Sequence, residues 1–210
     1  MIAIVNVDKN WGIGSNNKLL YSFKTDRDFF RHMTMGNIVV YGKNTLLSLP
    51  DKKPLVGRIN IVVSSNSKNI PDVSKNACNY YAHIQRSNIQ NELLFAEIKL
   101  NQNFNKSYEY YNTTLITIND ISLIEDIATF IGKQTDDIYV CGGESIYTQL
   151  LSKCNLAYVT MHNYHNKNVI PDKFFPNIET DSDWMINRKE GEGILSNKTR
   201  YSITSYRRKS

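Results

Sequence analysis

Six runs of apolar and β-branched residues, at 2–7, 37–41, 58–64, 114–118, 137–141 and 156–161, constrain this chain more than any other feature of its sequence. Several are separated by stretches of helical periodicity. That alternation predicts an α/β fold: a central mixed, mostly parallel twisted sheet flanked by helices. A parallel strand is covered on both faces and reads as an unbroken apolar run, as Ile38-Val39-Val40 and Ile61-Val62-Val63 do. Two closing runs, 184–189 and 199–206, are joined by a glycine-containing link and predict an antiparallel hairpin on the sheet edge. Helices are expected at 25–35, stopped by Gly36, at 122–131, stopped by Gly132, and at 145–152. From 66 to 113 Asn, Ser, Lys and Tyr dominate, and only 91–100 carries a helical apolar pattern. This stretch reads as an insertion within a single domain spanning 1–210.

Composition narrows the class. With 41% hydrophobic and 11% aromatic residues and both charge signs interspersed, the chain has the makings of an ordinary packed core. The N-terminal run is far too short for a membrane span and lacks a basic flank and small-residue cleavage site, so a cytoplasmic protein is expected. Cys78, Cys141 and Cys154 are widely spaced and odd in number, which reads as free thiols rather than a disulfide framework or zinc site. A net charge of +5 suits a phosphate-rich ligand as well as it suits nucleic acid. The basic residues are scattered, with one compact run, Arg207-Arg208-Lys209, near the C-terminus. A nucleic-acid partner would call for aromatics interleaved with Lys and Arg, for which Tyr108-Glu109-Tyr110-Tyr111 is the one faint candidate.

Three local patterns could carry chemistry. Thr25 can cap a helix and Asp28 close a capping box, which would start the helix at Asp26. At helical spacing Asp26 shares a face with Phe29, Phe30 and Met33, so its carboxylate sits on the side that packs inward. Desolvation would raise its pKa and the helix N-terminus would lower it, leaving a group able to hold or relay a proton near neutral pH. The alternative is that Asp26 simply meets the preference for acids in a first turn.

Glycine-bearing strand-to-helix turns occur twice, at Gly42-Lys43-Asn44-Thr45 and at Gly142-Gly143-Glu144-Ser145 followed by Ile146 and Tyr147. Each could offer free N–H groups to an anion, and Lys43, Ser64 and Ser65 could add donors for an extra phosphate; each could equally be a plain structural turn. The third pattern, Gly12-Ile13-Gly14, lacks the third glycine and the acidic residue of the Rossmann fingerprint. With the turn-prone Asn16-Asn17 it reads as a mobile lid or as an ordinary surface loop.

Taken in order, these pieces resemble the dihydrofolate reductase family. The matching text is Ala3-Ile4-Val5, Gly12-Ile13-Gly14 through Leu19, Asp26 with Phe29-Phe30, Gly42-Lys43-Asn44-Thr45 with Ser48-Leu49-Pro50, and Leu55, Gly57, Arg58 and Asn60. It continues through Ser64-Ser65, Tyr139-Val140-Cys141-Gly142-Gly143 to Ile146-Tyr147, Thr160, and Phe174-Phe175-Pro176. The resemblance implies NADPH-dependent reduction of dihydrofolate, with Asp26 binding the pterin and supplying a proton through water, and Thr160 bonded to Asp26. It implies that Ile4, Val5 and Cys141 line the pterin, Phe30 and Leu49 flank the substrate rings, and Arg58 pairs with the glutamate carboxylate. Cofactor contacts would come from Asn6, Ile13, Gly14, Leu19, Gly42, Lys43, Asn44, Thr45, Ser64, Ser65, Cys141, Gly142, Gly143, Glu144, Ser145, Ile146 and Tyr147. The Gly142-Gly143 bond would be cis, the segment 12–20 would close over the nicotinamide, and the protein would be a monomer without a fused thymidylate synthase domain.

Departures from the family pattern are specific. Leu20-Tyr21 stands where the family has Pro-Trp, so Tyr21 would have to order the catalytic water through its hydroxyl. Asn6 stands where a small residue, commonly alanine, is usual. A reductase of the same fold acting on another pterin or on a pyrimidine is the nearest alternative, and a basic nucleic-acid-binding protein a remote one. Asp26 and Arg58 favour the folate reading.

Overall fold

The computed structural model describes residues 1–66, 69–86, 93–100, 113–166 and 168–209. In chain order the strands and helices are β1 (Ile2–Asp8), β2 (Gly12–Ser15), β3 (Lys18–Leu19), α1 (Lys24–Thr34), β4 (Ile38–Gly42), α2 (Lys43–Ser48), β5 (Ile59–Val63), α3 (Asp72–Asn76) and β6 (Tyr80–Arg86). They continue as β7 (Leu93–Leu100), β8 (Thr114–Ile118), α4 (Leu123–Phe130), β9 (Ile138–Val140), α5 (Glu144–Leu150), β10 (Leu156–His162), β11 (Lys173–Phe174), β12 (Trp184–Ile194) and β13 (Arg200–Arg208). All six apolar runs form strands, and the fold class is the expected α/β one. The chain forms two compact units, Met1–Met33 with Val140–Ser210, and Thr34–Tyr139.

In the first unit β1 runs parallel to β10, β10 antiparallel to β13, and β13 antiparallel to β12, which is the expected closing hairpin. Ala3, Val7, Ala157 and Val159 are almost wholly buried in this sheet. A second, three-stranded sheet joins β11, β2 and β3. The segment read as a mobile lid or surface loop is therefore strand-paired: β2 bonds β3 on one side and β11 on the other. Its glycines allow this close packing, since a Cβ on Gly12 would lie 2.8 Å from the Pro171 side chain and one on Gly14 3.0 Å from the Lys18 carbonyl oxygen.

In the second unit β4, β5, β8 and β6 pair in parallel in that order, with β7 antiparallel to β6. Ile38, Val39, Val40, Ile61, Val62, Leu115 and Ile118 have no exposed surface, as strands covered on both faces require. Asn60 is fully buried at the hub of this unit. Its Oδ1 accepts from Tyr41 Oη (2.7 Å) and from the Leu55 N–H (2.8 Å). Its Nδ2 donates to the carbonyls of Leu55, Arg58 and Thr114 at 3.0–3.1 Å.

Two local expectations are corrected. The helical pattern at 91–100 is a strand where it is described, Leu93–Leu100, because a short apolar run fits either period and the backbone of β6 is there to pair with it. The first helix starts at Lys24 rather than Asp26: the Phe23 carbonyl already accepts from the Arg27 N–H (3.2 Å), and Asp28 pairs with Lys24 instead of closing a box on Thr25. The expected aromatic cluster at 108–111 lies outside the described residues.

Asn60→Ala removes the acceptor of the Tyr41 hydroxyl and of the Leu55 N–H, and the amide donor shared among the Leu55, Arg58 and Thr114 carbonyls, of which that of Arg58 keeps the Thr114 N–H. We expect a loss of about 2–4 kcal/mol of unfolding free energy, read as a lower denaturation midpoint with unchanged m-value.

Candidate active site

Helix α1 presents Asp26, Phe29, Phe30 and Met33 on one half-buried face, while Arg27, Asp28, Arg31 and His32 point to solvent. The face expected from the spacing is thus the one formed. Phe29 meets the edge of Tyr158 on β10 at 5.6 Å between ring centroids, which seats the helix against the first unit's sheet.

Two neighbouring strands reach the Asp26 carboxylate. In the parallel pairing of β1 and β10, Asn6 and Thr160 are register partners. Asn6 Nδ2 donates to Asp26 Oδ2 at 2.7 Å, and the Thr160 side chain also hydrogen-bonds the carboxylate. Burial raises the Asp26 pKa above its ordinary carboxylate value, against the opposing pull of the Asn6 and Thr160 hydrogen bonds and of the Arg27 charge. Desolvation wins, so the group keeps its proton to a higher pH than a surface aspartate would.

The turn before α5 has the Gly142–Gly143 peptide in the cis form, with Gly142 at φ +111°. Tyr147, buried on that helix, donates from Oη to the Ile4 carbonyl at 2.8 Å. Burial, with Cys141 and Asp26 adding to it, holds the Tyr147 phenol well above the usual tyrosine range. Glu144 opens the helix and accepts the Phe174 N–H (3.0 Å), tying β11 to the turn. Asp172 donates its N–H to the Gly14 carbonyl (3.0 Å) and accepts the Asn16 N–H on its carboxylate (3.1 Å), tying the same segment to β2.

In this unit the structure therefore brings Asn6 and Thr160 onto the Asp26 carboxylate of α1, and Tyr147 onto the Ile4 carbonyl of β1. The Tyr21 ring stacks on Tyr164 (4.0 Å) and meets the edge of His162 (5.3 Å), and its hydroxyl accepts from Asn197 Nδ2 at 2.8 Å, which leaves its own O–H free to donate. Leu19 is 64% exposed on the short strand β3. In the second unit Arg58 is buried, its guanidinium donating to the Val56 carbonyl (3.0 Å) and to Thr34 Oγ1 (3.2 Å). Also there, Gly42 opens α2 without a side-chain cap, Lys43 and Thr45 are half-buried on it, Asn44 and Ser65 are exposed, and Ser64 and Leu49 are half-buried.

Among the described residues no group of His, Cys, Asp and Glu is placed to hold a metal ion, and no helix is long and apolar enough to cross a membrane.

A profile of the dihydrofolate reductase family matches residues 1–98 and 101–208. The chain belongs to the dihydrofolate reductase family. It is 42% identical over 76 residues to a dihydrofolate reductase of Schistosoma mansoni, covering 33% of this chain and 41% of that one. It is 27% identical over 157 residues to the type 9 dihydrofolate reductase of Escherichia coli, covering 75% and 67%. The chain thus spans less than half the length of the first of these relatives. A dihydrofolate reductase from Enterococcus faecalis, solved with NADP(H) and RAB-propyl, superposes with a TM-score of 0.62 over 100% of this chain and 96% of that one, at 21% identity, a likeness of fold.

Sequence reasoning missed the Asn6–Asp26 bond, although one signal was available. In a strand Ile4, Asn6 and Asp8 share a face, and a lone amide on an apolar strand has to find a polar partner. It also missed the tie from Glu144 to Phe174, which joins segments far apart in the chain.

His162 supplies a pH test of this unit. It is 2% exposed, both ring nitrogens lack a hydrogen-bond partner among the described residues, and burial lowers its pKa from 6.5 despite the nearby Asp8 carboxylate. The unfolded chain then takes the proton first, so stability should fall as pH drops below about 6.5. Thermal unfolding from pH 7.5 to 5 should show a shallower acid-side loss in His162→Phe than in the wild type.

Proposed function

We propose that this protein catalyses the NADPH-dependent reduction of 7,8-dihydrofolate to 5,6,7,8-tetrahydrofolate. The observation that carries this reading is the half-buried Asp26 carboxylate, held by two strands and with its pKa raised by desolvation. A planar heterocycle with adjacent ring and amino N–H groups presents two donors to such a carboxylate, a match of geometry and charge. Family membership supports the same assignment.

The donor set suits a phosphate-bearing dinucleotide. Both glycine-opened helices begin without a side-chain cap, which leaves first-turn N–H groups for phosphate oxygens. Gly42, Lys43, Asn44, Thr45, Ser64 and Ser65 would serve the phosphates on the second unit; Gly142, Gly143, Glu144, Ser145, Ile146 and Tyr147 would serve the cofactor on the first. Asn6, Ile13, Gly14, Leu19 and Cys141 are proposed as further cofactor neighbours. When bound, NADPH supplies the hydride.

The chain's own residues do the rest. Asp26 holds the pterin and passes one proton through water, Thr160 orients Asp26, and the Ile4 carbonyl, with Val5 and Cys141 beside it, lines the pterin. Tyr147 fixes that carbonyl by its own hydrogen bond. Phe30 and Leu49 would flank the substrate rings, and Arg58 would meet the glutamate carboxylate. Tyr21 is proposed as the residue that orders the catalytic water in place of the family's tryptophan. We further propose a cytoplasmic monomer without a nucleic-acid partner, folded as one domain with the segment 66–113 as its extension.

Asp26→Asn should retain NADPH affinity and lose turnover at pH 7 by about 100-fold or more, because a general acid is removed. Its melting temperature should hold or rise, since a charge no longer has to be buried. Unchanged turnover in that variant would remove Asp26 from the proton path. Steady-state comparison of dihydrofolate with other pterins and pyrimidines checks the substrate.

A further inference from the structure

Asn6, which stands where the family pattern has a small residue, does something that the cofactor role proposed for it does not account for. In β1 it is the register partner of Thr160 in β10, and both side chains bond the same carboxylate on α1. Two strands therefore converge on one acid carried by α1, each through an uncharged polar side chain. We propose that Asn6 is a positioning residue for the proton-handling carboxylate: its side-chain amide grips Asp26 from β1, beside Thr160 on β10, fixing the carboxylate's orientation and stabilising its ionised form. The inference rests on the reductase reading for its catalytic meaning, though not for the bond itself.

The chemistry has a definite sign. An amide N–H can only donate to a carboxylate, so the 2.7 Å contact favours the charged acid over the neutral one. Burial works in the opposite direction and outweighs it. Of the ionisable groups around Asp26, Arg27 on the same helix also favours the charged form, while the buried Tyr147 on α5 remains a neutral phenol. A small apolar residue at position 6 would leave Thr160 and Arg27 as the opposition to burial. Asn6 thus keeps a buried acid ionisable over a range in which it would otherwise hold its proton, and a carboxylate that alternates between the two forms can both bind a cationic or N–H-rich ring and release a proton.

The test separates hydrogen bonding from volume. Carbon-13 NMR titration of the Asp26 carboxyl in the protein without ligands is compared among wild type, Asn6→Leu, Asn6→Ala and Asn6→Asp. Leucine matches asparagine in size and donates nothing; we expect its Asp26 midpoint to rise by about one pH unit, with alanine giving a rise of the same sign. Asn6→Asp sets two carboxylates against each other, and the pair should titrate in two steps, the upper one well above the wild-type midpoint. In turnover assays at saturating NADPH the alkaline limb of kcat/KM should move to higher pH in Asn6→Leu by the same amount. An Asp26 midpoint unchanged in both Asn6→Leu and Asn6→Ala overturns the proposal. So does a rise in alanine alone, which would trace the effect to volume. If the wild type does not reduce dihydrofolate, the reductase reading fails while the carboxyl midpoints still decide the role of Asn6.

Discussion

The pairing of β1 with β10 is the constraint on which the first unit's chemistry depends. Parallel register fixes Asn6 beside Thr160 to within a strand spacing, and a helix seated on the same sheet brings Asp26 to both. Desolvating a carboxylate there without partners would be costly, and the two hydrogen bonds offset part of that cost. The burial in turn raises its pKa. A scaffold that left Asp26 in solvent would have an ordinary surface acid, without the upward shift that burial gives it here.

A second set of contacts ties β1, β2, β11 and the turn before α5 together. The Tyr147 hydroxyl binds the Ile4 carbonyl, Glu144 takes the Phe174 N–H, and Asp172 bonds both Gly14 and Asn16. Trp11, Phe175 and Tyr147 pack together beneath them, with Trp11 and Phe175 stacked at 6.1 Å and Phe175 meeting the edge of Tyr147 at 4.7 Å. These are hydrogen bonds between segments distant in the chain, laid over an aromatic core. Their joint effect is to hold the closely packed, glycine-rich strand β2 against fixed neighbours.

Much of this was legible beforehand because local rules govern it. Unbroken β-branched runs have few uses other than buried parallel strands, and a helix with Phe29, Phe30 and Met33 on one face has one way to pack. The position of Asp26 on that face followed from angle alone. The illegible parts share a different physical origin. Leu93–Leu100 suits either period, and its partner strand decided the matter. The hydroxyl of Tyr21 had several possible partners, and Asn197 and Tyr164, far along the chain, fixed where it lies.

By itself the sequence determined the strands, the helix faces and the kinds of groups available, since these follow from side-chain period, β-branching and the conformational freedom of Gly36 and Gly132, both at positive φ in the structure. Tertiary structure alone decided which polar atoms meet. That the Asn6 amide reaches Asp26, that Glu144 reaches the Phe174 N–H, and that His162 is buried without a hydrogen-bond partner among the described residues are outcomes of strand register and packing. Register is set by the summed burial of whole strands, so no single residue's neighbours in sequence carry that information.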